Sequence, residues 1–269
     1  MLSWTPPISS PTILSKSEIQ AWLNEDLLRE SLGTTVEVGP FAFRRTHHSG
    51  KLNFVQFITD PGDELEAEIA RQIQFLRSLN QPFEWTVESR INPPDLLESL
   101  KRHGFQIGPL EKIAVRAVTE SDVVPPLDRV RRVQTESDLA NFRSVASAVF
   151  QKDYSLTTQD LRDHLERRND DHVAFLGLHQ GKPVAIARLY SSANSPVAGL
   201  YGAGTLPAFR SQGHYRDLIA VRAAFAHSRG AKVLRVDALP TSLPILLKCG
   251  FTAIGETWPC QWHPSINAE

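Results

Sequence analysis

Arg210-Ser211-Gln212-Gly213-His214-Tyr215 lies between an apolar run and a helical one. A guanidinium and, three residues on, a glycine, placed where a helix opens, supply the chemistry for holding a phosphate. The first N–H groups of a helix have no intrahelical partner and point out along its axis. The helix dipole adds partial positive charge at the same end. Gly213 has no side chain to keep a phosphate off the main chain, and Arg210 brings a fixed charge to the loop entrance. The backbone amides from Arg210 to Tyr215, that of His214 included, are the expected cradle, with Ser211 and Gln212 as added side-chain donors. The plainer reading is a loop-to-helix turn that happens to contain a glycine.

Around this loop stand a few further groups of chemical interest. Gly202 and Gly204 interrupt the preceding apolar strand, and glycine within a strand marks a bulge or a close approach by another backbone or a ligand. Tyr201 is on that strand, and Asp237 ends the strand that follows the helix. Either has the chemistry of a base working through a water. Core packing is the plain reading of Tyr201, and helix capping or turn stabilisation that of Asp237. Cys249, Cys260 and His263 lack common zinc spacing, and no metal is expected. Cys249 reads as packed in the last helix, His47-His48 as a solvated pair, and Arg131 and Arg132 as sheet-edge residues. Phe251, Trp258 and Trp262 read as core, or as the wall of an acceptor pocket.

The elements that must position these groups follow from periodicity and caps. A strand near 129–134 leads to a helix over Glu136–Phe150, opened by the capping run Thr135-Glu-Ser-Asp. A second helix is predicted over about Thr158–Arg168, with Thr157 and Thr158 as hydroxyl caps. Strands His172–His179 and Pro183–Ser191 flank a Gln180-Gly-Lys turn. A strand at 196–205, a helix at 212–228, a strand at 232–238, a short helix at 242–249 and a strand from Phe251 complete this half. Hairpins followed by a crossover give an α/β fold: a mostly antiparallel, mixed sheet flanked by helices.

The first half repeats this outline. Pro94 to Gly104-Phe105 aligns with Pro240 to Gly250-Phe251, placing Leu97 on Leu243 and Leu100 on Leu246. Phe83–Val87 takes the place of the strand 233–237, and a helix at Glu64–Ser78 that of 212–228. Two unrelated domains that share a Gly-Phe ending are the alternative. The polar, Pro-Pro-containing stretch Val118–Asp128 reads as a linker, dividing the chain near 125 into domains 1–125 and 126–269. At the loop position the first half carries Asp60, Asp63, Glu64 and Glu66 and no Arg-x-x-Gly. Four acidic side chains there would repel a diphosphate, so the first domain reads as a degenerate copy.

Arg210-Ser-Gln-Gly-His-Tyr215 resembles the acyl-CoA pyrophosphate loop of the GNAT N-acetyltransferase superfamily, although Tyr215 replaces a residue that is usually small. The resemblance is carried by residues 129–262, through the order strand, loop, helix, strand, helix, Gly-Phe strand. It implies acetyl-CoA or another acyl-CoA as cofactor, with the backbone of Gly204, Thr205 and Leu206 pairing with the pantetheine arm where this strand splays from its neighbour. It implies transfer of the acyl group to a primary amine on a small molecule or peptide. Thr241 and Ser242 would hydrogen-bond the arm. The tyrosine that many members carry before Gly-Phe, thought to protonate the leaving thiolate, falls on Leu246, and a common asparagine falls on Leu239. That departure keeps open a non-catalytic CoA- or ligand-binding regulatory module, beside a two-copy transferase and a plain partner-binding protein.

Composition narrows the partners. With 41% hydrophobic and 22% charged residues and a net charge of −1, the balance is that of a soluble globular chain, with no general attraction to nucleic acid or to an anionic membrane. No apolar run approaches the ~20 residues of a membrane span, and the start lacks the regions of a signal peptide. Two cysteines make no disulfide framework. A reduced, cytoplasmic setting is the expectation.

Overall fold

The structure, a computed structural model, describes residues 15–48, 53–91, 93–123 and 128–264. The expected domain cut near 125 lies outside the described residues. The elements run α1 (Lys16–Leu27), β1 (Thr34–Val38), β2 (Ala42–His47), β3 (Asn53–Phe57), α2 (Leu65–Ser78), β4 (Phe83–Glu88), α3 (Leu96–Arg102), β5 (Gln106–Ile107), β6 (Glu111–Ala117), β7 (Val130–Arg132), α4 (Glu136–Phe150) and α5 (Ser155–Glu166). They continue with β8 (His172–His179), β9 (Lys182–Tyr190), β10 (Val197–Thr205), α6 (His214–Ser228), β11 (Val233–Ala238), α7 (Leu243–Lys248) and β12 (Thr252–Trp262). None of the helices among the described residues is long and apolar enough to cross a membrane.

By compactness the chain forms two units, and neither is one continuous stretch. The first takes Met1–Leu27, Ala114–Val236 and Pro244–Thr252; the second takes Leu28–Ile113, Asp237–Leu243 and Ala253–Glu269. Within the first unit β7, β8, β9 and β10 form an antiparallel ladder, and β11 joins β10 in parallel. A parallel step requires a crossover, and α6 supplies it. Alternation across β8 sorts its residues to two faces. Ala174 and Leu176 pack with Leu139, Phe142 and Leu161 of α4 and α5, whereas Phe175 meets Phe225 of α6 at 6.1 Å between ring centroids. α4 buries Leu139, Phe142, Val145 and Ala146, the three-and-four spacing of an amphipathic helix.

The second unit shares the antiparallel strands, crossover helix and parallel step, without helices between its first two strands. β1, β2 and β3 form an antiparallel meander, α2 crosses over, and β4 lies parallel to β3. β12, the last strand of the chain, pairs antiparallel with β4 from Thr257/Glu88 to Trp262/Phe83. This strand falls within residues 126–269, the expected second domain, whereas its partner β4 lies in the first half of the chain. The core of the unit collects Phe57, Phe83, Trp85, Leu96, Leu100 and Trp262, so Trp262 is core.

Local chemistry explains the element ends. Thr135 caps α4 as expected, its hydroxyl accepting from the Asp138 amide at 3.1 Å. α5 begins at Ser155, ahead of the expected start, because the Asp153 carboxylate accepts from the Ser155 amide and hydroxyl. Thr158 is buried and donates to the Tyr154 carbonyl at 2.7 Å, which removes it as a cap. Arg131 and Arg132, on edge strand β7, pair with Asp138 and Asp170.

Candidate functional site

The loop that carries Arg210–Tyr215 is built at the end of β10. The β10/β11 register runs from Val197/Val233 to Gly199/Arg235. Past that point β10 continues to Thr205, and among the described residues no further β11 pair accompanies it. On its other side β10 stays with β9, with the register shifted between Tyr201 and Gly204. Gly202 takes φ +50 in that bulge, and a Cβ on Gly204 would stand 2.4 Å from Val149 Cγ1. Both positions require glycine, one for its backbone angle and the other for space. The strand therefore leaves β11 with one edge open.

A short 3-10 turn, Pro207–Phe209, follows, then Arg210, Ser211 and Gln212, all exposed. Ser211 and Gly213 have φ of +62 and +89. Gly213 is the N-cap of α6, and no side chain caps that end. Consecutive left-handed and helical residues turn successive N–H groups to one side, as an anion nest does. Arg210 Nε donates to the Thr205 carbonyl at 3.2 Å, which folds its side chain back over the loop. Leu206 donates its N–H to Val184 and accepts from Phe209. Its amide is thus used within the protein, and Gly204 and Thr205 are better placed than Leu206 to meet an extended ligand. His214 is 2% exposed and turned inward beside His179; burial and then Arg129 hold its pKa below the usual value. Only its main chain faces the cradle. Tyr215 is half-buried.

Arg129 was missed by sequence reading. It donates to the Gln212 carbonyl at 3.1 Å and pairs with Asp217 in the first turn of α6. A Cβ on Gly213 would lie 3.5 Å from its Nη2. The motif spans positions 210–215, and no local signal ties it to a residue more than eighty positions upstream.

Tyr201, one proposed base, is 48% exposed. Its ring lies over Gly199, where a Cβ would come within 2.5 Å of the ring edge. This shows why the core reading of Tyr201 fails: the bulge turns it to the surface. Opposite it in register is Arg188. Asp237 and Ser242 belong to the second unit. Asp237 is half-buried, and its charge, after burial itself, pushes the Glu111 carboxyl up to about 7, with Glu84 adding to the effect. Glu111 was not singled out in the sequence; its titration near neutrality depends on neighbours from other strands. Ser242 donates to the Leu239 carbonyl at 3.1 Å. Leu246 is wholly buried. Cys249 and Cys260 are buried free thiols, with Cys260 pushed up to about 12 by burial.

Among the described residues, Asp160, His164 and His172 hold metal-ligand atoms within 4.8 Å of one another. His172 Nδ1 donates to Asp160 at 2.5 Å, and His164 Nδ1 to Asn169 at 3.1 Å. Burial first, with the nearby positive Arg188 adding to it, holds His172 down to about 4. That cation disfavours a dication in the same place. The group reads as a neutral-histidine, carboxylate hydrogen-bond cluster under β8 and β9. Its members come from a helix and a strand, so no spacing rule revealed it.

The model of the Acetyltransferase (GNAT) family matches residues 139–251. No curated protein sequence matches the chain. Similar solved structures include a GCN5-related N-acetyltransferase from Kribbella flavida, 17% identical with a TM-score of 0.64, covering 92% of this chain and 93% of that one. A functionally unknown conserved protein from Staphylococcus epidermidis is 16% identical with a TM-score of 0.64, covering 87% and 95%. A tandem GNAT protein from the clavulanic acid biosynthesis pathway is 11% identical with a TM-score of 0.54, covering 90% and 87%. Residues 139–251 therefore match the Acetyltransferase (GNAT) family model, and the chain shares its fold with solved GNAT structures.

Proposed function

We propose that this chain is an acyl-CoA-dependent N-acyltransferase that moves an acetyl or other acyl group to a primary amine. The observation that carries the reading is the course of β10, which leaves β11 after Gly199 and runs on, one edge open, into an uncapped helix start at Gly213. An open strand edge takes an extended amide-bearing chain by β-type hydrogen bonds. A helix N-terminus takes the anion at that chain's end. In this reading the main chain at Gly204 and Thr205 pairs with the pantetheine arm, and the Leu206 carbonyl accepts through its remaining lone pair. The amides of Arg210, Ser211, Gln212, Gly213, His214 and Tyr215 hold the diphosphate, with Arg129 bracing the loop from behind. A β10 amide donates to the oxyanion. The amine nitrogen attacks the thioester carbon, the C–N bond forms and the C–S bond breaks. The amine proton passes through water to a base, for which Tyr201 and Asp237 are the proposed groups, and the thiolate takes a proton from solvent. A thiolate with a pKa of about 8.5 is a tolerable leaving group without a dedicated acid.

The chain is further read as two copies of one fold, domains 1–125 and 126–269, with cofactor held by the second alone. The shared meander, crossover and parallel step in both units support this. So does the first loop, where the Asp60 carboxylate already accepts from the Gly62 amide at 2.9 Å. A reduced, cytoplasmic setting remains the expected one. A CoA-binding regulatory module is the second reading, favoured by the buried, proton-less Leu246.

The deciding experiment incubates purified protein with acetyl-CoA and a broad panel of primary amines, and follows free thiol together with N-acyl product. Equal amounts of both are expected. Binding of acetyl-CoA with no thiol release across the panel would favour the module, and absence of binding would overturn both readings.

A further inference from the structure

Arg188 of β9 is a guanidinium without a counter-ion. Other arginines of the same unit are paired: Arg116 with Asp122, Arg129 with Asp217, Arg132 with Asp170 and Arg229 with Asp171. The buried Arg222 spends its donors on the Leu218 and Arg188 carbonyls. Arg188 has no ion pair among the described residues, and its Nε is sealed from solvent with no hydrogen-bond partner. Burial pulls its pKa down. An enclosed, uncompensated charge is costly, and folded proteins keep one only where something else offsets it.

Its place in the fold says what that partner would be. A Cβ on Gly202 would lie 3.0 Å from both Nε and Nη2, so the guanidinium rests against the β10 bulge at its glycine. It is opposite Tyr201, the exposed ring of the bulge. Tyr154, just after α4, is the largest opposing influence on its charge, and its ring stacks on Phe150 at 5.6 Å. Asp160 also faces Arg188 through space, but its carboxylate is bonded to His172. The result is an aromatic-walled cation with free donors, located where β10 parts from β11. A planar guanidinium of this kind takes a carboxylate through two parallel bonds.

We infer that the acceptor amine carries a carboxylate, as an amino acid does, and that Arg188 binds it. This rests on the acyltransferase reading above. The acyl step is the one already written, since Arg188 binds and exchanges no proton.

The test compares amino acids with their decarboxylated amines and carboxamides as acceptors, in the wild type, Arg188→Gln and Arg188→Lys. Wild type is expected to favour the carboxylate-bearing acceptors by about 100-fold in kcat/KM, the size of a lost enclosed charge pair. Arg188→Gln should lose that preference while keeping its rate with decarboxylated amines and its affinity for acetyl-CoA. Arg188→Lys should recover part of it, and serves if the Gln variant does not fold. Equal loss with both acceptor classes, or a wild-type preference for decarboxylated amines, would overturn the inference while leaving the acyltransferase standing. If no acceptor releases thiol, the acyltransferase reading fails. Calorimetry with the same amino acids on CoA-loaded protein then decides the site: heat lost in Arg188→Gln supports it, and no heat with any of them refutes it.

Discussion

Glu111 opens β6 with its carboxyl at about 7, raised from 4.5 by burial and then by Asp237 and Glu84. The folded chain holds that proton more tightly than the unfolded one. The stability it contributes is therefore complete below about pH 4.5 and is lost as pH rises through 7. Glu111→Gln keeps the neutral shape and removes the titration. The variant should melt higher than wild type at pH 8 and lose that advantage at pH 4, in thermal unfolding followed by circular dichroism. A difference that stays constant across the range would refute the assignment. At this scale the sequence marks the residues proposed to work through main chain, Arg210 to Gly213, because a helix start is a local event. Side chains that act across strands, such as Arg129, Arg188 and Glu111, carry no local mark. Their roles come from neighbours tens of residues away.

The bulge of β10 is the element on which the site depends. Gly204 faces Val149 and Phe150 at the end of α4, so its missing Cβ lets the helix close over the bulge. Gly204→Ala should destabilise the chain by about 1–3 kcal/mol through overpacking, measured by urea unfolding. A neutral result would mean that α4 yields easily and that the bulge is not held from this side. Helices and strands of the second half were legible because their periodicity and caps are local: α4 and β8 occupy the residues the pattern gave. α5 begins early because Asp153, an acid just before the helix, accepts from the Ser155 amide, and Thr158 is drawn inside the helix. Strand partners were not legible. Nothing in the alternation of Thr252–Trp262 specifies that it pairs with β4, about 170 residues earlier.

For the whole molecule the account predicts one acyl-CoA per chain. The counterpart loop of the second unit closes on itself: Asp60 holds the Gly62 amide, and Glu66 pairs with Arg102 and His103. The anion that such a helix start would bind is already supplied by the chain's own carboxylates. Glu64→Gln, which removes one acid from that loop, should leave the calorimetric stoichiometry at one and the affinity unchanged. A second binding event, or a clear change in affinity, would contradict a single loaded copy. The central claim, that the main chain around Gly213 holds the cofactor's diphosphate, is tested most directly by isothermal titration of acetyl-CoA into wild type and Gly213→Asp, with circular dichroism confirming that both are folded. The account predicts one site in the wild type and no measurable heat in the variant, where a carboxylate and added bulk occupy the cradle. Equal affinity in the two proteins would contradict it.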